Sequence, residues 1–101
     1  MTPLLRIVRL SFMPDKTVDF KEIFSASQPL IAAFDGCLGV EIKADAAFPD
    51  VFYTVSHWRS AEDLEKYRHS ELFKSTWAKT KVLFKEKAMA YSLVDTLYHN
   101  Q

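Results

Sequence analysis

Val51-Phe52-Tyr53-Thr54-Val55-Ser56-His57-Trp58, followed at once by Arg59-Ser60-Ala61-Glu62-Asp63-Leu64, is the stretch on which the fold turns. A run rich in β-branched and aromatic side chains reads as a strand. Ser60 with Asp63 three residues later reads as a capping box with Asp in place of the usual Glu, so a helix opens there. On the strand, Val51, Tyr53, Val55 and His57 fall on one side and Phe52, Thr54, Ser56 and Trp58 on the other. Neither side is a solvent face, which marks a central strand.

Toward the N-terminus, the turn segment 45–50, containing Pro49, leads back to another strand in which Leu38, Val40 and Ile42 share a side against Gly39, Glu41 and Lys43. Before it, from about Thr17, Phe20, Ile23, Phe24, Leu30, Ile31 and Phe34 recur at helical spacing. Pro29 lies inside that pattern, where it removes a donor and crowds the preceding turn, so a kink over residues 25 to 29 is expected without an end. Gly36 is placed for a left-handed C-terminal cap. Residues Leu4 to Phe12 alternate as the first strand, with Val8, Leu10 and Phe12 opposite Leu5, Ile7, Arg9 and Ser11.

Toward the C-terminus, the Ser60-capped helix carries Leu64 and Tyr67. Ser70 caps a further helix with Leu72, Phe73, Trp77, Val82 or Leu83, and Phe84 as its apolar positions. A last strand is expected from about Ala88 to Leu97. The order strand, helix, strand, strand, paired helices, strand is the ferredoxin-like plan, an α+β fold with a four-stranded antiparallel sheet and all helices on one face. With 101 residues and no linker or repeat, residues 1–101 form one domain.

The far face of such a sheet is polar in a chain that lives alone. Here either Leu5 and Ile7 or Val8, Leu10 and Phe12 must lie on it. The last strand repeats the problem, with Met89, Tyr91, Leu93 and Leu97 opposite Ala90 and Val94. Leaving such side chains in water forfeits roughly 1.5 to 3 kcal/mol each. A sheet-to-sheet homodimer removes the difficulty, and it fits a chain that is 49% hydrophobic and 14% aromatic.

Thirteen basic residues balance thirteen acidic ones, so no positive field draws nucleic acid or an anionic membrane surface. No apolar run is long enough to span a bilayer, and the N-terminus shows no signal-peptide pattern. A cytoplasmic protein is the expectation. Cys37, the single cysteine, permits no intrachain disulfide and reads as a small hydrophobe entering a strand.

Two glycines, Gly36 and Gly39, leave no phosphate-cradling loop or dinucleotide fingerprint. His57, His69 and His99 show no metal-ligand spacing with one another or with Cys37, so neither a metal nor a nucleotide cofactor is expected. What remains is a set of aromatics. Trp58 at the strand end, Tyr67, Phe73 and Trp77 on the following helices and Phe24 on the first can line one apolar pocket for a small aromatic molecule. Alternatively they are core, since aromatics at helical spacing commonly pack inward. An indole N–H and a phenol need polar partners if buried. His57 alternates away from Trp58, toward the expected interface, and Arg68 and His69 fall between the paired helices.

Ser56-His-Trp-Arg-Ser60, Asp63-Leu64 and Ser70-Glu-Leu-Phe73 together resemble the antibiotic biosynthesis monooxygenase family of the dimeric α+β barrel superfamily. Arg9-Leu-Ser-Phe12, Phe34-Asp-Gly-Cys37 and the final strand extend the likeness over nearly the whole chain. The resemblance implies a dimer with sheets packed into a barrel. It also implies a pocket in each subunit where some members oxidise phenols or quinols with molecular oxygen, using neither metal nor flavin. Trp58 matches the family's pocket tryptophan. Many members place Glu two residues before that tryptophan and His nine after it, where this chain has Ser56 and Tyr67. The haem-degrading branch uses an Asn and a haem-ligating His where this chain has Val8 and Trp77, which disfavours haem. Two readings follow: a cofactor-independent monooxygenase with Trp58 flanking the substrate and Tyr67 hydrogen-bonded to its oxygen, or a non-catalytic small-molecule-binding or stress-associated dimer.

Overall fold

A computed structural model describes residues 2–96. The elements are β1 (Leu4–Ser11), a 3-10 turn (Pro14–Lys16), α1 (Thr17–Ala32), β2 (Cys37–Ala44), β3 (Val51–Trp58), α2 (Ala61–Arg68), α3 (Glu71–Lys81) and β4 (Met89–Leu93). The strands form one antiparallel sheet in the order β2-β3-β1-β4, so the ferredoxin-like plan stands and β3 is central, as its two-sided apolar pattern requires. No helix among the described residues is long and apolar enough to cross a membrane.

Local chemistry sets the element ends. Ser60 Oγ accepts from the Asp63 amide at 3.2 Å and Ser70 Oγ from the Phe73 amide at 3.1 Å, which satisfies orphan donors at the starts of α2 and α3. Pro29 stays inside α1, and the helix carries through to Ala32. Gly36 does not cap α1 as expected, since Ala33 is the cap and Gly36 lies three residues beyond it in the turn into β2. It has φ +91°, and a Cβ there would collide with the buried Asp63 side chain, so both conformation and space demand glycine. Asp63 in turn accepts from Arg59 Nε at 2.8 Å and Ser60 Oγ at 3.0 Å. The Arg59 hydrogen bond holds the Asp63 carboxyl below the usual carboxylate range. In the β2–β3 turn, Asp45 accepts from the amides of Ala47 and Phe48 and from the Tyr53 hydroxyl.

The helices cover the sheet face that carries Leu4, Leu10, Phe12, Phe52 and Trp58, all buried. Two clusters form there. Leu4, Ile31, Trp58, Leu64 and Tyr67 pack at one end, with half-buried Cys37 against them; Leu10, Phe12, Phe20 and Phe52 pack at the other. On the uncovered face, register places Leu5 beside Leu93 and His57, Ile7 beside Tyr91 and Val55, and Arg9 beside Met89 and Tyr53. Met89, Tyr91 and Leu93 are nearly half exposed at 46 to 49%.

Three further expectations need correction. The last strand runs Met89–Leu93, so Val94 lies past its end, and Leu97 falls outside the described residues, as does His99. Leu38 does not share a side with Val40 and Ile42. A register shift between Cys37 and Gly39 puts both of these residues, two apart, opposite the adjacent Trp58 and His57, and Leu38 is left 64% exposed. At the end of α3, Val82 is exposed while Leu83 and Phe84 pack onto the core, because the chain leaves helical geometry after Lys81.

Candidate functional site

Between the two apolar clusters lies a cavity of about 300 Å³, at the small end of the range typical of small-molecule sites. All five aromatics singled out in the sequence, Phe24, Trp58, Tyr67, Phe73 and Trp77, line it. They come from four elements that the sheet register and helix caps bring together, Phe24 from the middle of α1. Trp58 ends β3 on the helix-covered face. Tyr67 sits in the last turn of α2, and Phe73 and Trp77 are one helical turn apart on α3.

These rings form a continuous wall. Trp58 stacks on Tyr67 with centroids 5.0 Å apart, Tyr67 meets Phe73 edge-on at 5.3 Å, and Phe73 stacks on Trp77 at 5.8 Å. Such offset and edge-to-face contacts add to the burial energy and hold the rings in fixed orientation. The choice between core and pocket therefore does not arise for Trp58 and Tyr67, which are both: they are 1% and 9% exposed and still face the cavity.

The polar atoms of this wall behave in two ways. Trp58 Nε1 donates to Ser56 Oγ at 2.9 Å, so the indole is locked from within the same strand face. The Tyr67 hydroxyl makes no hydrogen bond among the described residues, although the residue is buried. Burial, reinforced by the nearby Cys37, pushes its pKa up to about 12. At neutral pH it is a hydrogen-bond donor held against the cavity, and it has no use as a base. Burial also pushes the Cys37 thiol up, which keeps that side chain in its inert form.

The remaining lining includes groups that sequence spacing does not mark as part of a pocket. Arg6 on β1 and Arg68 at the end of α2 both border the cavity, as do Thr54, Thr76 and Thr80. Arg6 donates to Ser92 Oγ at 2.8 Å, while Arg68 donates to Glu65 Oε2 at 3.2 Å. Burial and the Arg68 charge lower the Arg6 pKa, and Glu65 opposes them. The signal was present in the alternation, since Arg6 shares its side of β1 with Val8 and Leu10 and so is a charge on the covered face. His57 is exposed on the uncovered face, apart from this site, and His69 caps α2 and contacts Glu65 Oε1 at 2.9 Å. Among the described residues no three His, Cys, Asp or Glu side chains gather as a metal site.

Comparison with known proteins places this geometry. No curated protein sequence matches the chain. Solved structures do. Rv0793 from Mycobacterium tuberculosis is 20% identical with a TM-score of 0.85, over 93% of this chain and 95% of that one. PA3566 from Pseudomonas aeruginosa is 22% identical with a TM-score of 0.82, over 94% and 95%. A candidate antibiotic biosynthesis monooxygenase from Nitrosomonas europaea is 16% identical with a TM-score of 0.88, over 96% and 93%. At these identities the likeness fixes the fold. The family model for antibiotic biosynthesis monooxygenases matches residues 3–79, from the start of β1 almost to the end of α3, which takes in β3, both helix caps and every aromatic of the cavity wall. The chain belongs to the antibiotic biosynthesis monooxygenase family.

Proposed function

We propose that the cavity binds a small aromatic phenol or quinol and that the protein oxidises it with molecular oxygen, working as a homodimer. The observation that carries this reading is the unbonded, neutral Tyr67 hydroxyl beside a wall of stacked rings in a space of about 300 Å³. A planar aromatic substrate in the cavity lies against this wall of rings, and Tyr67 donates a hydrogen bond to its oxygen. That bond stabilises the phenolate over the phenol and so lowers the barrier to electron transfer to oxygen.

The overall change for a phenol balances without an outside reductant. The substrate gives up four electrons, one atom of dioxygen becomes the new carbonyl of a quinone, and the other leaves as water with two protons. The chain's part is to bind, orient and tune ionisation. Trp58, fixed by Ser56, supplies a rigid face for the substrate ring.

Oxygen uptake with a panel of quinols and phenols, wild type against Tyr67→Phe, tests the reading. Phenylalanine keeps the packing and removes the donor, so uptake is expected in the wild type and is expected to fall by about tenfold or more in the variant. No uptake with any member of the panel sinks the monooxygenase reading. Ser56 and Tyr67, standing where many relatives carry Glu and His, favour the second reading, a dimer that binds a small molecule without turnover. Saturable binding of a panel member with no oxygen consumed supports that one.

A further inference from the structure

The charges at the cavity edge do not balance. Arg6 makes no ion pair among the described residues, and its hydrogen bond is to the neutral Ser92. Across from it, Glu65 is shared by two groups: Arg68 at 3.2 Å and His69 at 2.9 Å. That carboxylate is therefore taken by the Arg68 guanidinium and the His69 ring, and none is paired with Arg6 among the described residues. Burial lowers the Arg6 pKa, and the charge of Arg68, which lines the same cavity, lowers it further. A half-buried cation left beside a like charge is an arrangement that an anion relieves.

Position makes the imbalance specific. In the sheet register Arg6 lies opposite Ser56, the residue that anchors Trp58, and in the sequence Arg68 follows Tyr67. The two guanidiniums thus belong to the same lining as the stacked rings. Guanidinium groups bind carboxylates and phenolates through charge-assisted hydrogen bonds, about twice as strong as neutral ones. Thr54 and Thr76, also in the lining, add neutral polar partners.

We infer that Arg6 and Arg68 form an anion subsite at the edge of the aromatic cavity, so that the ligand is an aromatic ring carrying an acidic oxygen group, a carboxylate or an ionised hydroxyl. This rests on the reading of the cavity as a site for a small aromatic molecule. It narrows that class to anions, and it gives the ligand a direction: ring between Trp58, Phe73 and Trp77, charge toward Arg6.

The test uses 2-naphthoate and its neutral counterpart 2-naphthamide, followed by quenching of Trp58 and Trp77, the two tryptophans of the chain, both of which line the cavity. Wild type is expected to bind the carboxylate about tenfold more tightly than the amide, as one charge-assisted contact allows. In Arg6→Gln and in Arg68→Gln that preference is expected to shrink toward equality, with the amide affinity unchanged. Lys43→Gln, which removes an exposed charge far from the cavity, is expected to keep it. Equal binding of the two probes by wild type, or a preference that survives in both arginine variants, overturns the anion subsite and leaves the aromatic site standing. Failure of both probes to quench overturns the aromatic site and the subsite with it. Preserved naphthamide binding in a variant also shows that it has folded.

Discussion

Trp58 and Ser56, two residues apart on the covered face of β3, are joined by a 2.9 Å hydrogen bond from the indole Nε1 to the serine hydroxyl. Both are buried, and Trp58 has the largest fully buried side chain of the protein. One strand thus carries both the cavity's ring and the group that fixes it. The same register puts Ser56 opposite Arg6 on one side and Val40 on the other, so no neighbouring strand need supply the acceptor.

Ser56→Ala removes that acceptor and leaves an indole N–H with nowhere to turn. An orphaned buried donor costs about 1 to 3 kcal/mol. In a domain of this size each kcal/mol lowers the melting temperature by roughly 4 to 8 °C. A thermal melt of Ser56→Ala is therefore expected to fall by at least several degrees, while Ser56→Thr, which keeps a hydroxyl, moves less. Equal melting of wild type and Ser56→Ala means that Trp58 has another way to satisfy its N–H.

The burial of Tyr67 gives stability a dependence on alkaline pH with a definite sign. An unfolded tyrosine ionises near 10.0, whereas the folded protein holds Tyr67 protonated to about 12. Below the unfolded value both states carry the proton and the contribution is constant. As pH rises above it, the unfolded state loses its proton first, so stability declines until the folded pKa is passed. The full loss for this one group is on the order of 2 to 3 kcal/mol. Denaturant melts are expected to weaken over this window in the wild type and to weaken less in Tyr67→Phe. Phenolate absorbance is expected to lose its latest-titrating component in Tyr67→Phe, while Tyr53, which its hydrogen bond to Asp45 also raises, still titrates late in both proteins. An identical alkaline decline in both proteins means that Tyr67 is not the group responsible.

The contrast between what the sequence displays and what it conceals is physical. Strand alternation and helix caps depend on near neighbours, so β3, the Ser60 and Ser70 caps and the Phe24, Trp58, Tyr67, Phe73 and Trp77 wall could be read from spacing together with the family likeness. The bulge at Leu38 could not, because a register shift depends on the partner strand and leaves the local pattern of β2 unchanged. Nor could the nearness of Arg6 to Arg68: they lie far apart in the chain, and only the packing of α2 against the sheet brings both to the same cavity. The extent of β4 is similar: its five residues pair with Leu5 to Arg9 of β1, and where that pairing stops is not visible in the local alternation of the last strand.

The uncovered face of the sheet makes the last prediction. Leu5, Ile7, Val55, Tyr91 and Leu93 adjoin one another there by register, without a helix over them. Such a patch is expected to draw a second copy by the same apolar burial that forms the core, with the two sheets packed face to face as a barrel. Light scattering at micromolar concentration is expected to return twice the chain mass of 11.7 kDa. Placing charge on the face tests which surface is responsible. Leu93→Glu combined with Tyr91→Glu alters side chains that are each 46% exposed in the single chain, so the fold itself should survive while the interface does not. A monomeric mass with unchanged far-ultraviolet circular dichroism is the expected result for that variant. A wild-type protein that scatters as a monomer sinks the dimer, and a double-Glu variant that remains dimeric moves the interface to another face.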